Sequence, residues 1–394
     1  MTTHLETKSV GADVLRGLAI LMVFIYHAFG PVYFSDVPWD GWFRNFDSLA
    51  NRQLLWYYPI TFGWSGVALF FVLSGFCIHY SFLRSRCFDV TQFFYKRFWR
   101  IYPAYVMALL FFTVLEHINI LSRFGAEQFL SHALFLHNFR DGTFFGINPS
   151  FWSIATEVQL YLLFPLFLVI RSRYGVARCL YVTFFVGVLW RAVSIYCWGL
   201  PDHLITPALS SPLMTWFDWA LGAFVAEKFF RGEQAFGRKK ALLLLILPLF
   251  VASTLFKPST TFSFSLAAVA SAVILDGALH FRWRSRIWVK SLAFIGGISY
   301  SLYLWHQPLL FRVTFHIERL TGSPIVAWFA LLPLMIAGSW VSFRIFEQIG
   351  IKAGEFIWKL VKNSAVAFDS NSPKCAVRQL PSENAEGPQH SPPM

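Results

Sequence analysis

Apolar residues dominate long stretches of this chain, and short polar or basic segments punctuate them. Apolar runs fall near residues 10–30, 60–83, 101–121, 150–170, 179–198, 213–230, 241–256, 262–280, 291–311 and 325–346. Most reach the 17–25 residues that a helix needs to cross a hydrocarbon core. The pattern predicts about ten membrane-spanning helices in an all-α, polytopic bundle. The run at 241–256 is short for a span. The stretch 127–139 (EQFLSHALFLHNF) reads as an interfacial or re-entrant helix and not as an eleventh span.

The first run carries two polar residues that an apolar helix has no reason to hold. Arg16 stands near its start and His27 near its end. Eleven residues turn a helix through about 1,100°, close to three full turns, so both side chains share a face. They stand about 16–17 Å apart along the axis, about half a hydrocarbon core. A guanidinium near one surface and an imidazole at membrane depth need partners, and this stripe is expected to form one wall of a channel.

Composition agrees with the pattern. Apolar residues make up 56% of the 394 positions and charged residues only 14%, where a soluble chain carries about a quarter. The formal charge of +12 does not point to nucleic acid, because the basic residues cluster between apolar runs. With the N-terminus inside, the internal loops hold 17 Lys and Arg and the external loops seven, which places both termini in the cytoplasm. The five cysteines show no paired or metal-binding spacing, so no disulfide framework and no metal site are expected. The N-terminal run is long, contains Arg16 and reads as the first span, not as a cleavable signal. From about residue 364 the chain turns to Ser, Pro, Asn, Glu and Gln and is expected to be disordered. The expected organisation is a cytoplasmic N-terminus (1–9), a transmembrane domain (10–346) and a cytoplasmic tail (347–394).

Five segments together resemble the acyltransferase 3 family of integral-membrane acyltransferases. They are DVLRGLAILMVFIYH with its Arg16-x10-His27, GVALFFVLSGF (66–76), FFYKRFWRIYP (93–103) with Arg97-x-x-Arg100, FWSIATEVQLYLLFP (151–165) around Glu157, and ISYSLYLWHQPLL (298–310). The segment FRIFEQIGI (343–351) departs from the family's usual Glu-x-Pro by carrying Ile349. The resemblance implies transfer of an acyl group, an acetyl first of all, from cytoplasmic acyl-CoA to a hydroxyl of an extracytoplasmic or lipid-linked carbohydrate. Acetyl-CoA would then be a co-substrate, with no permanently bound cofactor. No Gly-Asp-Ser motif is present, so the chain resembles members without a fused hydrolase-like domain, and a separate extracytoplasmic partner stays open. The implied location is the bacterial inner membrane.

Each candidate residue carries a structural alternative. His27 is either a general base or a transient acyl carrier, against a plain interhelical hydrogen bond. Glu157 is expected to orient His27, against a structural hydrogen bond of its own. Arg97 and Arg100 share a helical face and fork onto phosphates, with Arg16 beside them and Asp13 aiming Arg16, or they serve only the positive-inside rule. His306 is a candidate for acceptor contact or for supporting a catalytic residue, against a plain structural role. Ser153 is a candidate for contact with acceptor or backbone, and Trp152 for acceptor contact or an aromatic-belt anchor. Ser74 could line the channel, though helix packing explains it as well. A proton-coupled transporter of an anionic or glycan substrate is the competing function, using His27, Glu157 and His306 as a proton relay. No internal repeat supports it.

Overall fold

The computed structural model describes residues 2–33, 37, 39–48, 52–85, 88–199, 206–322 and 324–366. Helices form nearly all of it. In order they are α1 (Thr2–Tyr33), α2 (Ser65–Arg84), α3 (Val90–Leu115), α4 (Arg123–Ala133), α5 (Asp141–Phe144), α6 (Phe151–Ala192) and α7 (Pro212–Phe230). Then follow α8 (Lys239–Leu255), α9 (Thr260–His280), α10 (Ile287–Gly297), α11 (Ser299–Thr321), α12 (Pro324–Ser342) and α13 (Gln348–Val366). The one sheet among the described residues pairs Trp39–Asp40 with Phe43–Arg44. The chain is an all-α membrane protein. Of the tail expected to be disordered from about 364, residues 364–366 close α13 and the rest lies outside the described residues.

Six helical stretches among the described residues are long and apolar enough to cross a membrane, seven if α10 and α11 count as one bent span. The difference from ten has physical reasons. Residues Phe151–Cys197 form one stretch of 47 residues, about 70 Å at helical rise and twice a hydrocarbon core. It breaks at Gly175, whose φ of 78° no ordinary helical residue adopts. α7 carries Asp218, Glu227 and Lys228, and α8 has only 17 residues. α10 and α11 meet at a 75° bend.

Helix ends follow capping more than hydropathy. α3 starts at Val90, well before the apolar run at 101, because the Asp89 carboxylate accepts the Gln92 amide at 3.0 Å. It stops at Leu115, and His117 takes a φ of 52°. Arg97 and Arg100 therefore sit inside a helix and not in a loop. The segment expected to be interfacial folds as α4, capped by Ser122, and a 3-10 turn at His137–Phe139.

Lipid offers little drive for helices to associate, so close packing matters. α2 lies against α7 at glycines on both sides: a Cβ on Gly75 would fall 2.0 Å from the Trp219 carbonyl oxygen, and one on Gly222 2.0 Å from that of Val72. The same device joins α1 to α10, where a Cβ on Gly296 would fall 1.9 Å from the Asp13 oxygen. The largest buried cluster fills the space between α2, α3, α6, α7 and α11 with Phe112, Phe151, Phe164, Phe167, Trp219 and Leu302.

Candidate active site

A cavity of about 400 Å³ opens where α1, α2, α3, α6, the α10–α11 break and the α12–α13 junction converge. It collects residues that lie hundreds of positions apart. Asp13 and Arg16 line it from α1, Ser74 and Cys77 from α2, Arg97 and Arg100 from α3, and Ser153, Glu157 and Tyr161 from α6. Gly296, Gly297, Ser299, Tyr300 and Tyr303 contribute from the α10–α11 break, and Phe343, Glu347 and Ile351 from the last helical segment.

The three guanidinium groups differ in what they hold. Arg16 Nη1 donates to Asp13 Oδ1 at 2.5 Å, three residues back on the same face, as the sequence predicts. Its Nη2 lies 2.9 Å from Cys77 Sγ. Arg97 and Arg100 make no hydrogen bond or ion pair with any described residue, and Arg97 Nε is buried without a partner. Arg97 rests between the Phe93 and Tyr161 rings, 5.8 Å from each centroid. A cation left unpaired on a cavity wall is a ready anion site.

The carboxylate of Glu157 is satisfied on the wall itself. Its Oε1 accepts from Ser74 Oγ at 2.8 Å and from the Tyr161 hydroxyl, one helical turn on, at 2.6 Å. The expectation that Glu157 orients His27 is therefore corrected. The partner of His27 is His306.

His27 and His306 sit outside the cavity lining. His306 is fully buried, His27 half-buried, and their ring centroids are 5.0 Å apart. His306 Nδ1 lies 2.7 Å from the Tyr303 carbonyl oxygen, and its Nε2 3.1 Å from His27 Nδ1. His27 Nδ1 also lies 3.0 Å from the Val23 oxygen. A carbonyl only accepts, so His306 carries its proton on Nδ1 and its neutral ring accepts at Nε2. His27 must then carry its proton on Nδ1, shared between Val23 and His306. Its Nε2 keeps the lone pair, the state a general base requires.

The cavity stops about one turn short of this pair. Val67, on the lining, follows Gly66, whose Cβ would lie 3.0 Å from Val23 Cγ2. His27 is one turn beyond Val23, about 6 Å by helical rise. The expected channel wall is thus a cavity around Arg16 with the histidine pair beyond its far end. Tyr303 links the two: its carbonyl holds His306, its ring lines the cavity, and its hydroxyl lies 2.7 Å from Ser153 Oγ.

Of the remaining candidates, Ser153 lines the cavity, whereas Trp152 does not. The Trp152 carbonyl accepts from Thr156 Oγ1 at 2.9 Å, a bond within α6. His306, expected either to support a catalytic residue or to contact acceptor, holds His27. Sequence reasoning assigned no role at the site to Tyr303, Tyr161, Cys77 or Ser301. Helical spacing held a signal for two of them, since Tyr161 is four residues after Glu157 and Tyr303 three before His306. No group of three or more His, Cys, Asp or Glu among the described residues is arranged to hold a metal ion.

Residues 9–344 match the family described as Acyltransferase domain, acyltransferase 3. The chain is 28% identical to a peptidoglycan O-acetyltransferase OatA of Listeria monocytogenes, over 88% of this chain and 56% of that protein. It is 24% identical to an O-acetyltransferase OatA of Staphylococcus aureus, over 89% of this chain and 59% of that protein. A putative O-acetyltransferase of S. aureus is 25% identical over 87% of this chain and 58% of its own length. The chain thus spans a little over half the length of the curated relatives it matches. No solved structure matches it. With the family match covering every helix that lines the cavity except α13, this chain belongs to the acyltransferase 3 family.

Proposed function

We propose that this protein is a membrane O-acyltransferase that moves an acetyl group from cytoplasmic acetyl-CoA to a carbohydrate hydroxyl on the other side of a bacterial inner membrane. The observation that carries the reading is the pair of unpartnered guanidiniums. Arg97 and Arg100 line a cavity with Arg16, and α1 leads from Arg16 to a histidine whose Nε2 is free. The names of the relatives, O-acetyltransferases with one acting on peptidoglycan, support a glycan acceptor. The charge asymmetry of the loops supports both termini in the cytoplasm.

The residues divide the work by position. Arg97 and Arg100 take phosphate oxygens of the donor, and Arg16, aimed by Asp13, closes the same cluster. The acyl-pantetheine arm follows the cavity past Ser74, Glu157 and Tyr303 toward Val67, which puts the thioester within about one helical turn of His27. His27 Nε2 takes the proton of the acceptor hydroxyl as its oxygen attacks the thioester carbonyl. The carbon–sulfur bond breaks, and the leaving thiolate takes the proton that His27 Nε2 now carries, which restores the neutral imidazole. Coenzyme A leaves the way it came. His306 keeps His27 in the reactive tautomer, as the third member of a triad does. Glu157 fixes the Ser74 and Tyr161 hydroxyls along the donor path. Bringing together two substrates from two compartments is the main catalytic contribution.

The 75° break between α10 and α11 favours a second reading, since broken helices line transporter sites. Labelled acetyl-CoA supplied to inverted vesicles separates the two. An acyltransferase labels a glycan, and at donor concentrations below KM Arg97→Ala and His27→Ala both sharply reduce the label. A transporter takes up solute without consuming thioester.

A further inference from the structure

Glu347 is 3% exposed and lies on the π-helical turn Phe343–Glu347 that joins α12 to α13. Phe343, Glu347 and Ile351 follow at four-residue spacing, and all three line the cavity. Ser301 Oγ donates to Glu347 Oε2 at 3.2 Å. Oε1 takes no hydrogen bond from any described residue. No cavity guanidinium lies within ion-pair distance of it, although Arg100 and Arg16 are near enough to act on its charge. A carboxylate oxygen open to the cavity is free to accept a hydrogen bond from whatever donor fills the cavity. A phosphate is mostly doubly charged at neutral pH and is repelled by a carboxylate. An N–H is the group that fits.

We infer that Glu347 Oε1 accepts a hydrogen bond from an N–H of the acyl donor, either an amide of its arm or the amino group of its base, and so sets donor specificity. This rests on the acyl-CoA reading above. The guanidiniums recognise any phosphate, whereas Glu347 distinguishes a donor with a correctly placed N–H from a simple anion. The turn is held firmly enough to do so. α13 docks on α3, the helix of Arg97 and Arg100: the Tyr95 hydroxyl donates to the Gly354 oxygen at 2.8 Å, and the Tyr95 and Trp358 rings lie 4.8 Å apart. A Cβ on Gly354 would fall 2.4 Å from the Trp99 ring. Ile349, the departure from the family's Glu-x-Pro, is 58% exposed and off the cavity, so it leaves the carboxylate in place. Glu347 and Ile351 lie past residue 344, where the family match ends.

The test is equilibrium binding of coenzyme A to the detergent-solubilised full-length chain, wild type against Glu347→Gln and Glu347→Asp, with melting temperature as the control for folding. Both variants should weaken coenzyme A about tenfold or more, the weight of a hydrogen bond to a charged group. Phosphopantetheine, which has amides and no base, and adenosine 3′,5′-bisphosphate, which has the base and no amides, identify the N–H: only the fragment that carries it should lose affinity. Unchanged or tighter coenzyme A binding in both folded variants overturns the inference and leaves the acyltransferase reading intact, since Glu347 would then act only as a repulsive charge. Absence of coenzyme A binding to wild type overturns both.

Discussion

His27 Nδ1 stands 3.1 Å from His306 Nε2, and this contact, not one to a carboxylate, fixes the tautomer of the candidate base. The Tyr303 carbonyl anchors the far side of His306 at 2.7 Å. The order Tyr303–His306–His27 therefore runs from the cavity wall to the free Nε2. Tyr303→Phe keeps the carbonyl and removes only the hydroxyl beside Ser153. It should lower the acetylation rate no more than about tenfold, the weight of one neutral hydrogen bond, while His306→Ala should lower it further. Steady-state acetylation rates of the two variants check this order.

Arg97 and Arg100 make no hydrogen bond or ion pair, so removing either leaves no partner stranded. Arg97→Ala and Arg100→Ala should each raise the donor KM about 10- to 100-fold with little change in melting temperature. Lysine should restore the charge without the planar fork and recover only part of the loss. Donor titrations at two salt concentrations check this, since screening should narrow the gap between wild type and variants.

Glu227 answers for stability instead. Its Oε1 meets Arg171 Nε at 2.5 Å and His79 Nε2 at 3.1 Å, with Arg231 on Oε2 at 3.3 Å. Glu227→Ala strands the buried ends of this network and should destabilise the bundle by about 3–5 kcal/mol. None of these residues lines the cavity, so donor affinity per folded molecule should not change. Thermal unfolding in detergent and coenzyme A binding, measured on the same sample, separate the two effects.

The helical segment between α3 and α6 carries a pH dependence. His132 and His137 stack with centroids 4.0 Å apart, both fully buried. Burial holds His132 down at about 4, and burial followed by repulsion from His132 holds His137 at about 2. Both folded values lie below the ordinary imidazole value near 6.5, so the open state binds more protons. The resulting stability is complete above about pH 6.5 and is lost as pH falls from there toward 4. Hydrogen-exchange protection across residues 123–144, measured relative to the intrinsic rate at each pH, should fall between pH 7 and pH 5. The double change His132→Phe and His137→Phe should remove that fall.

Much of the site was legible in the sequence because it depends on spacing along one helix. Arg16 and His27, Asp13 and Arg16, and Arg97 and Arg100 each share a face by their separation alone, and four of these five residues line the cavity, His27 lying beyond it. Contacts between helices were not legible in the same way. Whether Glu157 faces His27 or Ser74 depends on how α6 is rotated about its axis, and one residue of rotation is 100°. Glu347 reaches the cavity although the segment departs from Glu-x-Pro at Ile349, because Ile349 is exposed and off the lining. Helix bounds moved where caps outweighed hydropathy, as Asp89 does at the start of α3.

The central claim is that His27 Nε2 receives the acceptor proton and that His306 keeps it able to do so. Its most direct test is the rate of acetyl transfer from labelled acetyl-CoA to glycan in inverted vesicles, comparing wild type, His27→Ala and His306→Gln at equal amounts of folded protein. His27→Ala should lose about 10²–10⁴-fold in rate, the usual weight of a general base. His306→Gln should lose part of that with the donor KM unchanged. Transfer by His27→Ala at the wild-type rate would contradict the account.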